Sequence, residues 1–384
     1  MKLNLYQGTA TIIVTLLGSG IFIVPALSAT YSGWTSLLLW LLMALLILPV
    51  AFVFGKLGKL YPNAGGSAYF VENAFGKTLG KITSLLYLSI TPIGPPVVII
   101  TGAAYLADVF NTTNLIPFII FMSLIIFILN LISFHISSNI NIFITSTIIL
   151  LVSAFFIISL FQDLQITSHQ LNLIKTMGII FWCFVGIEAI THLSHEFKNE
   201  NDFFRAIITA IITVALMYMA ATFSVLVFNA YGDESKNLSS FALMASQILP
   251  FAKTLTGILA FLICLMAVNL YIASLARLAT TFKISFKKAL SAIVLTVLLV
   301  SLLKVIINFN IDLLIIYSNG VFVLVYFLVS LSALKLLENK KTALFAVLSM
   351  GFIIFTIGFD MIYAVIVFLL LLAVKRLKNL KFSN

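Results

Sequence analysis

Charge is what this chain has least of. Only 9% of its 384 residues are Asp, Glu, Lys or Arg, and 62% are hydrophobic. Soluble domains carry roughly 25% charged residues, so the composition excludes a water-soluble fold and implies a polytopic membrane protein. A mean hydropathy of +1.19 agrees. Acidic residues are scarcer still, 12 against 22 Lys and Arg, for a formal net charge of +10. That excess does not mark a nucleic-acid partner. The basic residues sit in short clusters between apolar runs, where they report orientation in a bilayer. Cysteine is nearly missing: Cys183 and Cys264 each lie inside an apolar run, which excludes a disulfide framework and a redox role. Gly65-Gly66 has no Gly-Lys-Ser/Thr ending, which excludes a phosphate loop. There is no long polar linker either, so no soluble domain is expected.

What the chain has in abundance is apolar runs. Crossing hydrocarbon takes about 20 residues, which divides the sequence into spans at 7–29, 34–54, 82–107, 115–134, 139–161, 174–194, 204–229, 251–275, 289–308, 312–334, 342–358 and 361–375. The last two are joined by little more than Gly358, Phe359 and Asp360. With the N-terminus inside, Lys and Arg crowd the cytoplasmic segments, and only Lys175, Lys236, Lys253 and Lys304 fall on the outer side or its margin. Both termini are therefore expected in the cytoplasm. Lys2, the apolar run after it and Ala26-Leu27-Ser28-Ala29 imitate a secretory signal. The Gly-Ser-Gly core and the many later spans favour a retained first helix. Lys56 to Lys81 is expected to form a cytoplasmic helix under the bundle.

Span 1 is interrupted halfway by Gly18-Ser19-Gly20. At mid-membrane depth every backbone amide and carbonyl needs a partner, so a break is tolerable only where it faces protein, ligand or water. A second half-helix starting near Ser19 would aim the amides of Ser19, Gly20 and Ile21 at an anion, helped by the positive helix end. The carbonyls of Leu16 and Leu17 would face a cation. Together they suit a zwitterion with a carboxylate and an ammonium. The plainer reading is a small-residue packing patch. Span 6 tips the balance, because it carries a second break candidate from Phe181 to Glu188 and crosses in the opposite direction. Paired interrupted helices are the pattern of inverted-repeat transporters.

These residues resemble the amino acid–polyamine–organocation superfamily of transporters. The motifs are Gly18-Ser19-Gly20-Ile21-Phe22; Tyr61-Pro62-Asn63-Ala64-Gly65-Gly66 with Ala74-Phe75-Gly76; and Phe184-Val185-Gly186-Ile187-Glu188 with Glu196-Phe197-Lys198-Asn199. Pro92-Ile93-Gly94-Pro95-Pro96, Phe181-Trp182-Cys183, His192-Leu193, Ala230-Tyr231-Gly232, Asn269, Tyr271 and Ala276-Arg277-Leu278 make it most similar to the bacterial methionine and branched-chain amino acid exporters. The likeness runs to about residue 280, and beyond it only hydropathy speaks. The resemblance implies an all-α integral membrane protein with a 5+5 inverted repeat (the LeuT-like arrangement), broken helices 1 and 6, and two peripheral helices. The repeats would occupy 1–161 and 174–334, with the peripheral helices and a basic tail at 342–384. It implies a secondary transporter, not an enzyme, in the bacterial cytoplasmic membrane. The partners are then a small amino acid, a coupling ion and the lipid bilayer, with no cofactor.

The resemblance places the substrate against Leu16, Gly18, Ser19, Gly20, Ile21, Trp182, Val185 and Gly186, and against Ile93 and Gly94 in a span 3 kinked by its prolines. Trp182 would cap or gate the pocket. No acid stands nearby for a cationic side chain, which favours methionine, leucine, isoleucine or valine, exported against proton influx; an importer differs only in direction. Glu188 is the one acid placed deep in the membrane, where it is either a proton-coupling group or a brace between the broken helices. Some relatives place a lysine in span 5 where sodium-coupled ones hold the ion. Here Thr147, beside Thr145 and Ser146, and Ser274 on span 8 offer hydroxyls instead, although bonding back to the helix is commoner. Proton and sodium coupling both stay open, the proton being favoured. His192, His195 and Glu196 raise a minor alternative, a membrane metalloenzyme.

Overall fold

The computed structural model describes residues 3–63, 65–132, 138–164, 171–191, 194, 197 and 199–380. In chain order the helices are α1 (Leu5–Leu17), α2 (Gly20–Ser32), α3 (Thr35–Leu60), α4 (Gly66–Phe75), α5 (Lys77–Leu88), α6 (Gly94–Val109), α7 (Ile116–Leu131), α8 (Ser138–Ser159) and α9 (Leu173–Phe181). After a 3-10 turn at Trp182–Phe184 come α10 (Ile187–Thr191), α11 (Glu200–Val227), α12 (Glu234–Leu238), α13 (Ser240–Ile248), α14 (Pro250–Thr280), α15 (Phe286–Ile307), α16 (Ile311–Leu336), α17 (Lys340–Ile357) and α18 (Ile362–Leu380). Seven of the described stretches are long and apolar enough to cross a membrane. One further crossing, α1 with α2, is bent by 46° at its break.

Local chemistry explains where the helices start. Asn4 and Gln7 form a reciprocal capping box on α1, the Asn4 side chain accepting from the Gln7 amide at 2.9 Å. Asn172 caps α9 by accepting from the Lys175 amide at 3.1 Å, and Asp233 caps α12 in the same way. Span 3 departs from a single run over 82–107: α5 already begins at Lys77, residues 89–93 form turns, and α6 restarts at Gly94 with proline in its first turn. Pro92, Pro95 and Pro96 donate no amide, so a continuous helix through them would lose its bonds. Between spans 7 and 8, where hydropathy indicates no element, α12 and α13 pack over α2. The expected helix after span 2 is α4, packed against α5 and α16.

The core is the packing of α1, α3 and α8 on α11, of α6 on α14, and of α17 on α16 and α3. Three of the four basic residues assigned to the outer margin carry acidic partners. Lys175 meets Asp312 at 2.5 Å, Lys253 meets Asp108 at 2.9 Å, and the mostly buried Lys304 pairs with Glu234.

Candidate substrate site at two helix breaks

The first break is short. Gly18 closes α1 by donating its amide to the Val14 carbonyl at 2.9 Å, with φ +35° and ψ −132°, a backbone that favours glycine. Ser19 is the helix cap and α2 begins at Gly20, the Phe22 amide turning back to the Ser19 carbonyl at 3.1 Å. The Ser19 amide meets no acceptor among the described residues. An uncovered amide at a helix start, with the positive end of the dipole behind it, is an anion-binding arrangement. The carbonyls of Leu16 and Leu17 are already engaged: the Tyr218 hydroxyl of α11 donates to both at 3.1 Å. Each carbonyl oxygen keeps a second lone pair, so neither is lost to a ligand.

The second break is longer and better satisfied. Trp182–Phe184 tighten into a 3-10 turn, Val185 is extended, and Gly186 sits at φ +123°, where an L side chain is strained. Glu188, 1% exposed, accepts the Gly186 amide on Oε2 at 2.9 Å. The same oxygen receives the hydroxyl of Tyr326 from α16. That hydroxyl also lies 3.1 Å from the Phe184 carbonyl and 3.2 Å from the Gly186 amide. Having one proton, Tyr326 can donate to Glu188 or to Phe184, not fully to both. A Cβ built on Gly186 would come within 3.2 Å of the Thr15 side chain, so the two breaks touch.

Between them lies a cavity with about 80 Å³ of room for the centres of water-sized spheres. One water needs only about 10–15 Å³ by that measure, so the space suits a small molecule. Its wall carries no charged side chain: Thr15 to Gly20, Gly94, Val98, Trp182, Val185, Gly186, Ala267, Tyr271 and Phe322. Eight residues singled out from the sequence are thus brought together: Leu16, Gly18, Ser19, Gly20, Gly94, Trp182, Val185 and Gly186. Ile21 is fully buried in α2, one residue past the wall. Ile93 is buried in the turn before α6, and Val98 takes the place expected of it. Thr147 and Ser274 are off the wall, their hydroxyls donating to Phe143 and Leu270 of their own helices at 2.9 Å. His192, His195 and Glu196 lie outside the described residues. A larger cleft, about 270 Å³ between α9, α16 and α17, touches neither break.

Sequence reasoning missed Tyr218, Tyr326 and Phe322, and gave Tyr271 no role. The signal for the tyrosines was available, since a phenol in an apolar helix needs a hydrogen-bond partner. The buried Tyr271 hydroxyl meets none among the described residues. The ends of the cavity also differ. Beyond α2, Phe22 packs edge-on against Tyr105 at 5.5 Å and Phe241 at 5.3 Å, and all three are fully buried. Tyr105 and Ser240 both donate to the Phe22 carbonyl, at 2.9 and 3.3 Å. Toward α1 the partly exposed Gln7, Thr11 and Thr15 form a polar stripe at helical spacing, of which Thr15 reaches the cavity wall with Tyr271 of α14.

A family model described as amino acid permease matches residues 3–381. This chain belongs to the amino acid permease family. The permease is 32% identical to the L-methionine/branched-chain amino acid exporter of Escherichia coli (strain K12), over 95% of this chain and 94% of that one. It is 30% identical to an uncharacterized amino acid permease of Bacillus subtilis (strain 168), over 63% and 59%. A putative arginine/ornithine antiporter of Escherichia coli (strain K12) is 23% identical over 66% and 61%. Among solved structures, a manganese transporter of Eremococcus coleocola superposes with a TM-score of 0.66 at 11% identity, covering 96% of this chain and 92% of that one. The likeness shows the fold, an inverted-repeat transporter bundle with broken helices 1 and 6. The permease is a multi-pass membrane transporter of amino acids, not an enzyme, and the metalloenzyme alternative falls with that.

Proposed function

We propose that this permease carries neutral aliphatic amino acids, methionine, leucine, isoleucine and valine, out of the bacterial cytoplasm in exchange for protons. The observation that carries the reading is the cavity wall: two backbone breaks for the charged poles of the substrate, and no charged side chain for its tail. An arginine or ornithine would bury a cationic head without a partner, which costs several kcal/mol. The Ser19 amide and the first turn of α2 take the carboxylate. The carbonyls of Leu16, Leu17 and Val185 face the ammonium, and Val98, Ala267, Phe322 and Trp182 surround the side chain. A relative named as a methionine and branched-chain exporter, matched over nearly its whole length, supports the substrate class and direction.

Alternating access then opens the cavity along the polar stripe of α1 in the state seen here, with the Phe22–Tyr105–Phe241 cluster closed at the other end. Both termini lie in the cytoplasm, and the two repeats fall at 1–161 and 174–334. Glu188 is the proton-coupling group, exchanging its proton while Tyr326 changes acceptor. The test is flux of labelled methionine, leucine and arginine in membrane vesicles under imposed proton and sodium gradients. Methionine and leucine moving with the proton gradient is the expected result. Arginine carried equally well, or flux that follows sodium alone, overturns it.

A further inference from the structure

The Tyr218 hydroxyl belongs to neither broken crossing, yet it touches both. It donates to the carbonyls of Leu16 and Leu17, the last of the first half-helix. On its other side stands Cys183, within the 3-10 turn of the second break, its Sγ facing the same point beside Gly20. The single phenol proton is shared between the two carbonyls. The ring is held independently, fully buried and stacked on Trp40 at 4.8 Å with 9° between planes. A Cβ built on Gly20 would lie 2.5 Å from the hydroxyl oxygen, whereas the next neighbours, Cys183 Sγ and Trp182, stand at 3.4 and 3.5 Å. The hydroxyl thus occupies the space a side chain at position 20 would need.

We propose that Tyr218 is a positioning residue for transport, its hydroxyl holding the end of the first half-helix against the second break at Gly20 so that the two meet the substrate in register. On this account glycine is required at position 20 by that hydroxyl, not by the substrate carboxylate. The inference rests on the substrate site proposed above. It also predicts a suppression that no substrate contact explains. Gly20→Ala forces the hydroxyl away from the Leu16 and Leu17 carbonyls, and Tyr218→Phe removes the oxygen that the new methyl meets.

The experiment compares the wild-type chain, Gly20→Ala, Tyr218→Phe and the double variant in vesicles, with labelled methionine as probe. The thermal midpoint of each purified protein without substrate is measured in parallel. Tyr218→Phe keeps the stacked ring. It is expected to raise the half-saturating methionine concentration roughly tenfold, the equivalent of one hydrogen bond, while the maximal rate stays within about twofold by that same figure. A residue that only packs would lower the rate or the yield without moving half-saturation. Gly20→Ala should lower the thermal midpoint and abolish transport, and adding Tyr218→Phe should restore the midpoint and bring transport back to the level of Tyr218→Phe alone. A double variant as defective as Gly20→Ala overturns the proposal. The midpoints decide this even if methionine proves not to be carried, so failure of the substrate reading is told apart from failure of this one. Should Tyr218→Phe not insert, Gly20→Ala combined with Cys183→Ala decides: removing Sγ gives the displaced hydroxyl room, so the thermal midpoint must rise above that of Gly20→Ala, and a midpoint no higher overturns the proposal.

Discussion

The two breaks solve one problem in opposite ways. In the second, the polar backbone freed by unwinding is satisfied within the protein: Glu188 and Tyr326 take the Gly186 amide, and the Tyr326 hydroxyl also reaches the Phe184 carbonyl. In the first, the carbonyl side is held by Tyr218 while the Ser19 amide stays open. Unsatisfied polar backbone in hydrocarbon costs several kcal/mol, so an amide left open beside a cavity marks where a ligand completes the structure. On the function proposed above, the first break is the recognition element, and the second is a braced element whose state depends on one carboxyl group.

The sharpest way to break this contrast is to remove the brace. Glu188→Ala leaves the Gly186 amide only its longer contact with the Tyr326 hydroxyl, and that hydroxyl only the Phe184 carbonyl, so a loss of about 1–3 kcal/mol is expected, read by thermal unfolding. Glu188→Gln keeps an acceptor for the amide and should insert. It cannot exchange a proton, so the pH dependence of methionine flux should flatten; an unchanged profile would leave Glu188 as a brace only. Gly186→Ala comes next. A φ of +123° costs an L residue about 1–3 kcal/mol, with the Thr15 contact at 3.2 Å added.

Substitution at Ser19 tests the open side. Proline suits its φ of −78° and removes the amide along with the hydroxyl, which alanine removes alone. Ser19→Pro should leave the thermal midpoint near wild type and raise half-saturation about 10- to 100-fold, the worth of a hydrogen bond to a carboxylate. Ser19→Ala keeps the amide and removes a hydroxyl that makes no cap hydrogen bond, so half-saturation should change less than about threefold. If proline at position 19 transports normally, the carboxylate is held elsewhere and the contrast between the breaks collapses.

How much of this was legible depended on sequence distance. Gly18-Ser19-Gly20 and Val185-Gly186 stand out because they fall at corresponding places in two spans that cross in opposite directions, and both prove to hold positive φ values at Gly18 and Gly186. The partners that satisfy the breaks come from helices far along the chain. Tyr218 and Tyr326 look like ordinary aromatics in spans 7 and 10, and no local pattern says which carbonyl a phenol will reach. Val98 rather than Ile93 lies on the cavity wall because residues 89–93 are turns and helical spacing begins only at Gly94. Hydropathy located the crossings but not α12 and α13, which are amphipathic pieces too short to carry a span.

The smallest effect is expected where hydroxyls are spent on their own helix. Thr147 donates to Phe143 and Ser274 to Leu270, each four residues back, and neither lines the cavity. An oxygen-lined sodium site needs several oxygens converging on one point, typically from unwound backbone as well as side chains. Here Thr145, the neighbour of Thr147 on α8, instead donates to the Ala10 carbonyl at 3.0 Å and ties α8 to α1. Thr147→Ala and Ser274→Ala should therefore leave methionine flux and its response to sodium and pH unchanged within error, while Thr145→Val, by freeing that carbonyl, should lower the thermal midpoint by an amount equivalent to about 1 kcal/mol. A sodium dependence lost in Thr147→Ala would instead return the coupling ion to α8 and strip Glu188 of its role.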